Sequence, residues 1–200
     1  MQCQGWSRRL LRPSGLIARR GWSLPSRCAN MGLMNDTTSK TVRNALRALD
    51  AHFRVVEIDP AFTHTAAYCA RYGYPLDRSA NAILVASKRP PGRNAVCVVL
   101  ATTRLDVNRR VRSLLGVRKV SFAPAELTLE VTGMKIGGVT PFGLPHDLPV
   151  YVDSRIMELD EILVGGGNRS TKIYVDPEVF GRMPSVEVTR DLAVDAPRPS

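Results

Sequence analysis

The segment TGMKIGGVTPFGLPHDLP, residues 132 to 149, constrains this 200-residue chain more than any other stretch. Five of the nine positions from 137 to 145 are glycine or proline. Glycine serves where a backbone turns left-handed or must approach another group closely, and proline removes a backbone donor. A merely connecting loop needs few such residues, so this one is expected to fold around something. A second run, Gly165-Gly166-Gly167, closes the apolar stretch EILV. Consecutive glycines can aim bare N–H groups at a phosphate or at the oxyanion of an attacked ester. Taken singly, each run reads as a tight turn between strands.

Around these runs the apolar pattern alternates between helix and strand periods. Val42, Ala45, Leu46, Leu49 and Phe53 repeat at helical spacing and predict a helix from Ser39 to His52. RVVEI reads as a strand, and THTAAYCARYG as a helix begun by a threonine cap and stopped by Gly73. NAILVAS and NAVCVVLAT, joined by KRPPGR, predict an antiparallel pair, the first of them buried on both faces. LDVNRRVRSLLG is expected to be a helix with Asp106 as N-cap and Gly116 as its stop, followed by the strand RKVSF and a helix opened by Pro124. After the glycine loop come LPVYVD, a brief helix near Ile156, EILVGGG, TKIYVD, a helical turn at DPEVFG and a last strand, VEV. No regular βαβ rhythm appears. The fold class expected is α+β, a mixed, curved, barrel-like sheet with helices around it.

Charge is unevenly spread. The net charge is +10, yet residues 1 to 34 hold six arginines and no acid, leaving 22 basic and 18 acidic side chains in the rest. The body is thus only mildly basic, which permits a nucleic-acid partner without demanding one. Residues 1–34 are expected to be a disordered basic extension, or an upstream start with Met31 or Met34 as the working one; 35–190 the domain; and 191–200 a tail. The four cysteines (Cys3, Cys28, Cys69, Cys97) form no C-x-x-C pair, and no apolar run approaches a membrane span, so a reducing, cytoplasmic setting is expected. Neither a nucleophile elbow, a P-loop lysine nor a metalloprotease histidine pair occurs, and His52, His64 and His146 share no ligand spacing, so no metal or other cofactor is expected.

The order TGMKIGGVTPFG, then LPVYVD, then EILVGGG resembles the YbaK/EbsC-like aminoacyl-tRNA deacylases, relatives of the editing domain of bacterial prolyl-tRNA synthetase. The likeness spans about residues 38 to 188. It implies a domain that cleaves the ester of mischarged tRNA in trans, with the aminoacylated 3′ end as partner and an aminoacyl-tRNA synthetase as a further one. Gly137 and Gly138 are then expected at the carbonyl or terminal adenosine, with Thr132, Gly133, Lys135, Thr140, Pro141 and Gly143 shaping the loop. Gly165, Gly166 and Gly167 would clear space beside it, Asp153 would orient it, and His146 would touch the RNA end. An activated ester needs no strong protein nucleophile, because water, backbone donors and the ribose hydroxyl suffice.

One position departs from the pattern. The family carries a lysine at the start of the strand NAILV, where this chain has Asn81. An asparagine donates a hydrogen bond but brings no charge, and a charge-assisted bond is about twice as strong. Lys88 lies seven residues on and on the opposite face; Lys135 is the better substitute. The alternative function is a module that binds tRNA without turnover.

Overall fold

A computed structural model describes residues 37–196. The extension expected over 1–34 lies outside those residues, as do the last four positions of the expected tail.

In chain order the elements are α1 (Thr37–Ala48), β1 (Phe53–Glu57), α2 (Thr65–Tyr72), β2 (Ala80–Arg89), β3 (Pro91–Leu100), β4 (Thr103–Leu105), a π-turn (Val107–Val111) running into α3 (Arg112–Leu114), β5 (Lys119–Phe122), α4 (Ala125–Thr132), β6 (Val150–Asp153), β7 (Ile162–Gly165), β8 (Thr171–Val175), β9 (Val186–Thr189) and β10 (Ala193–Asp195). Short 3-10 turns occupy Ser154–Glu158 and Pro177–Arg182. Five strands form one mixed sheet in the order β5-β2-β3-β6-β9, with β6 parallel to both β3 and β9. β1-β8-β7 make an antiparallel sheet of three, and β10-β4 a pair. This is the α+β architecture expected. Among the described residues the sheets do not close into a ring; an isolated bridge between Ser79 and Leu163 ties the start of β2 to β7.

Strand periodicity of two sorts the core into layers. Val96 and Val98 of β3 face a cluster with Ile162, Val164, Ile173, Val175, Val42 and Leu46 of α1. Cys97 and Val99 face the other way, onto Val111, Leu115 and Leu192. The far face of the three-stranded sheet, Leu163 and Tyr174, is covered by Tyr68 and Cys69 of α2. NAILVAS and NAVCVVLAT pair antiparallel, Ala82 opposite Val98 and Leu84 opposite Val96.

Several boundaries differ from expectation for local reasons. α1 stops at Ala48 because Asp50 turns left-handed at φ 49, with Asp50 N–H donating to the Arg47 carbonyl and Ala51 N–H to that of Leu46. That is the double bond of a Schellman stop, with an aspartate in the usual glycine's place. α2 is preceded by His64, whose side chain makes no cap bond, rather than by a capping threonine. The expected tail is structured through 195: Leu192 is fully buried, and Ala193–Asp195 pair with Thr103–Leu105. Two apolar residues at 192 and 193 supply a burial that the proline-rich end obscures.

Candidate active site

The glycine loop divides into halves with different tasks. In its second half Phe142 is fully buried and stacks on Phe180, 5.8 Å between centroids, while Pro141, Gly143 and His146 line a separate cavity of about 470 Å³ against α1. Gly143 is a close approach: an added Cβ would lie 3.3 Å from Thr41. Thr140 is fully buried as well, its Oγ1 without a partner among the described residues. Thr132 and Gly133 finish α4, Thr132 Oγ1 donating to the Thr128 carbonyl and Gly133 taking φ 70. Lys135 is exposed. None of the seven expected site residues among these lines the cavity that holds Asn81.

The first half does. Ile136, Gly137 and Val139 form one wall of a cavity of about 520 Å³. The opposite walls come from the start of β2 (Asn81, Ala82, Ile83), the end of β5 (Phe122), the N-terminus of α2 (Thr63, His64, Thr65) and the β7–β8 hairpin (Gly165, Arg169, Lys172). Of the expected residues, the structure therefore brings together Asn81, Gly137 and Gly165.

The glycines there serve backbone-to-backbone packing more than ligand contact. Gly138 N–H donates to the Lys135 carbonyl, Gly167 N–H to that of Gly138, and Gly166 N–H to that of Thr171. A Cβ on Gly138 would sit 2.5 Å from the Asn168 backbone, and one on Gly165 would strike the Val139 carbonyl. The two glycine runs thus seal against each other, which corrects the expectation of a pair of bare amides. Only the Gly137 N–H of that pair lacks a partner among the described residues. Asp153 is also corrected: its carboxylate accepts from Arg155 Nε at 2.8 Å and from Ala193 N–H at 3.0 Å, so it fastens β6 to β10 rather than orienting the loop.

Asn81 is held by Thr65, whose Oγ1 donates to Asn81 Oδ1 at 2.5 Å. The carboxamide nitrogen is left without a partner among the described residues. Nearby stands the residue that sequence reasoning missed. Lys172 of β8 is 4% exposed, yet its ammonium lies in the same cavity, 3.1 Å from the Gly137 carbonyl and 4.5 Å from the centroid of the Tyr68 ring. Among the described residues no carboxylate lines the cavity. Burial lowers the Lys172 pKa from 10.5 to about 8. A charged lysine kept from water with no acid beside it destabilises a fold, and such groups gather at sites of function. The signal was present in TKIYVD, where a lysine shares the inward parity of Tyr174. Arg169, exposed at the rim, adds a second cation and bonds the Pro60 carbonyl at 3.3 Å.

Neither described cysteine lines the cavity. Cys69 Sγ lies 3.2 Å from Ser79 Oγ and burial pushes its thiol up; Cys97, deep in the sheet, is pushed up to about 12. What remains is a half-apolar cavity with neutral and cationic donors, suited to gripping a carbonyl and stabilising negative charge that develops on it.

Residues 59–182 match the family model for the aminoacyl-tRNA editing domain. The uncharacterised protein YwhH of Bacillus subtilis is 28% identical over 156 residues, covering 78% of this chain and 97% of that protein. The proline–tRNA ligase of Brachyspira hyodysenteriae is 27% identical over 101 residues, which span 49% of this chain and 16% of the ligase. Among solved structures, the hypothetical protein APE2540 superposes with a TM-score of 0.68 at 23% identity, covering 77% of this chain and 99% of that one. A protein proposed as a trans-editing enzyme for prolyl tRNA synthetase gives 0.66 at 21% identity, covering 80% and 99%. These structural likenesses concern the fold. With 124 consecutive residues matched, the chain belongs to the aminoacyl-tRNA editing domain family.

Proposed function

We propose that this protein hydrolyses the ester linking a wrong amino acid to tRNA, acting in trans, with Lys172 supplying the positive charge that the chain lacks at Asn81. The observation that carries this reading is the placement of Lys172 and Asn81 in one cavity that, among the described residues, no carboxylate lines. The cation stands on β8 rather than on the strand that begins with Asn81, and both residues line the same chamber.

In the reaction, a water oxygen attacks the ester carbonyl carbon. The carbonyl oxygen becomes an oxyanion, for which the Lys172 ammonium, the Asn81 carboxamide N–H and the Gly137 N–H are donors. The bond from carbon to the ribose oxygen then breaks, and the water's proton ends on that oxygen. Free amino acid and uncharged tRNA result. One preorganised donor to an oxyanion is worth about 10²–10³ in rate, so three account for a useful enzyme without a side-chain nucleophile. Ala82, Ile83 and Val139 line the apolar part of the chamber, where side-chain volume decides admission.

The test is incubation of the full chain with a panel of mischarged tRNAs, beginning with tRNAPro because two relatives are tied to prolyl-tRNA synthesis by name. Acceleration of ester loss over the spontaneous rate on any member supports the proposal. Binding without acceleration assigns the chain to non-catalytic recognition instead.

A further inference from the structure

The charge of this protein has a regional pattern that its total conceals. From Arg78 through Ala125 there are ten basic residues, Arg78 included, and one acid, Asp106. The described remainder of the fold runs the other way, acids outnumbering bases. Five of the ten meet in space. The β2–β3 hairpin end carries Lys88, Arg89 and Arg93, and β5 begins beside it with Arg118 and Lys119. Arg89 is paired with Lys119 across the strands, Arg118 N–H donates to the Arg89 carbonyl at 2.8 Å, and Arg93 Nη1 donates to the Leu115 carbonyl at 2.9 Å. All five are exposed, and none is in an ion pair among the described residues. Uncompensated cations held this close repel one another, a cost that a polyanion removes.

The same two strands lead to the cavity. β2 begins at the chamber wall with Asn81 and reaches Arg89 eight residues later, about 26 Å at the rise of an extended strand. β5 runs from Lys119 to Phe122 at the mouth, about 10 Å. Phe122 and Ile136, both 55% exposed, form an apolar lip between ridge and chamber. Exposed aromatic surface beside a basic track is the arrangement that holds single-stranded nucleic acid, bases on the rings and phosphates on the cations.

We infer that the ridge of Lys88, Arg89, Arg93, Arg118 and Lys119 is the docking surface for the RNA backbone, engaging phosphates upstream of the CCA end while the terminal nucleotide's ester sits in the chamber. The inference rests on the proposed function for the chamber but concerns a different surface, and it can fail separately.

The experiment uses the full chain and the double variant Arg89→Gln/Lys119→Gln, both positions being exposed. A control, Lys40→Gln/Arg190→Gln, removes the same charge from exposed sites elsewhere. Binding of uncharged tRNA is measured against salt. Loss of two phosphate contacts flattens the slope of log K against log salt by about 1.5 to 2, and the control leaves it unchanged. On aminoacylated substrates, the ridge variant raises KM for full-length tRNA at least tenfold and leaves hydrolysis of a short aminoacylated CCA oligonucleotide as it was. A slope equal to wild type, or one changed as much by the control, overturns the inference. So does binding of polyglutamate as tight as that of tRNA, which would mark the ridge as a site for acidic protein. Should the wild type hydrolyse neither substrate, the function proposed for the chamber fails while the salt slope still decides the ridge.

Discussion

Replacing Lys172 by methionine should make the protein more stable at neutral pH. The lysine's pKa falls from 10.5 to about 8 because its ammonium is buried, and 2.5 units correspond to about 3 kcal/mol of disfavoured charge at pH 7. Methionine keeps the contact with Tyr68 and removes the charge, but leaves the Gly137 carbonyl without its donor, which costs about 1 kcal/mol. The net gain is about 2 kcal/mol, or roughly 4–8 °C in Tm for a domain of this size. The gain must also depend on pH in one direction. Below pH 8 folded and unfolded chains both carry the proton, and the wild type bears the full cost. Between about 8 and 10.5 the unfolded chain binds one proton more than the folded one, so wild-type stability rises with pH relative to the variant. Above 10.5 the cost is gone. Urea denaturation of both proteins at pH 7, 9 and 10.5 measures this directly. A variant less stable than wild type at pH 7, or a difference that does not narrow as pH rises, would refute the claim that the site holds an uncompensated ammonium.

Other perturbations separate site from scaffold. If the ammonium is the active form, deacylation corrected for the spontaneous reaction declines through pH 8, while the spontaneous rate climbs with hydroxide; a pH–rate profile under single turnover distinguishes them. Gly138→Ala drives a Cβ to 2.5 Å from the Asn168 backbone and should cost about 2–4 kcal/mol, read as a lowered urea midpoint with hydrolysis lost alongside. Asp153→Ala strips a buried carboxylate from Arg155 and Ala193, lowering stability by about 3 kcal/mol while kcat/KM at a permissive temperature stays at the wild-type value.

The strand pair NAILVAS/NAVCVVLAT was legible because a near-continuous apolar run on both sides of a turn has few other solutions, and β2–β3 pairing follows. The end of α1 was not, because the left-handed stop falls on Asp50 rather than on a glycine. The site divided in the same way. A loop rich in glycine and proline announced a close approach, and Gly137 does border the cavity, but the approach is largely to the other glycine run. Sequence cannot tell a ligand from a neighbouring backbone as the reason for a missing Cβ. Asn81 was found by position, and its apparent deficit of charge was real along the chain. Lys172, to which we assign that charge, lies 91 residues away and reaches the same cavity only through the packing of β8 beneath α2. Thr65 and His64 reach the chamber by the same tertiary route.

The proposed reaction depends on a cation in the chamber, and transferring that charge from Lys172 to position 81 is the direct trial. Single-turnover hydrolysis of a mischarged tRNA would be compared among wild type, Lys172→Gln, and Asn81→Lys/Lys172→Gln. Loss of one charged donor should slow Lys172→Gln by about 10²-fold, and the double variant should recover at least tenfold of that loss. Hydrolysis by Lys172→Gln at the wild-type rate would contradict the account.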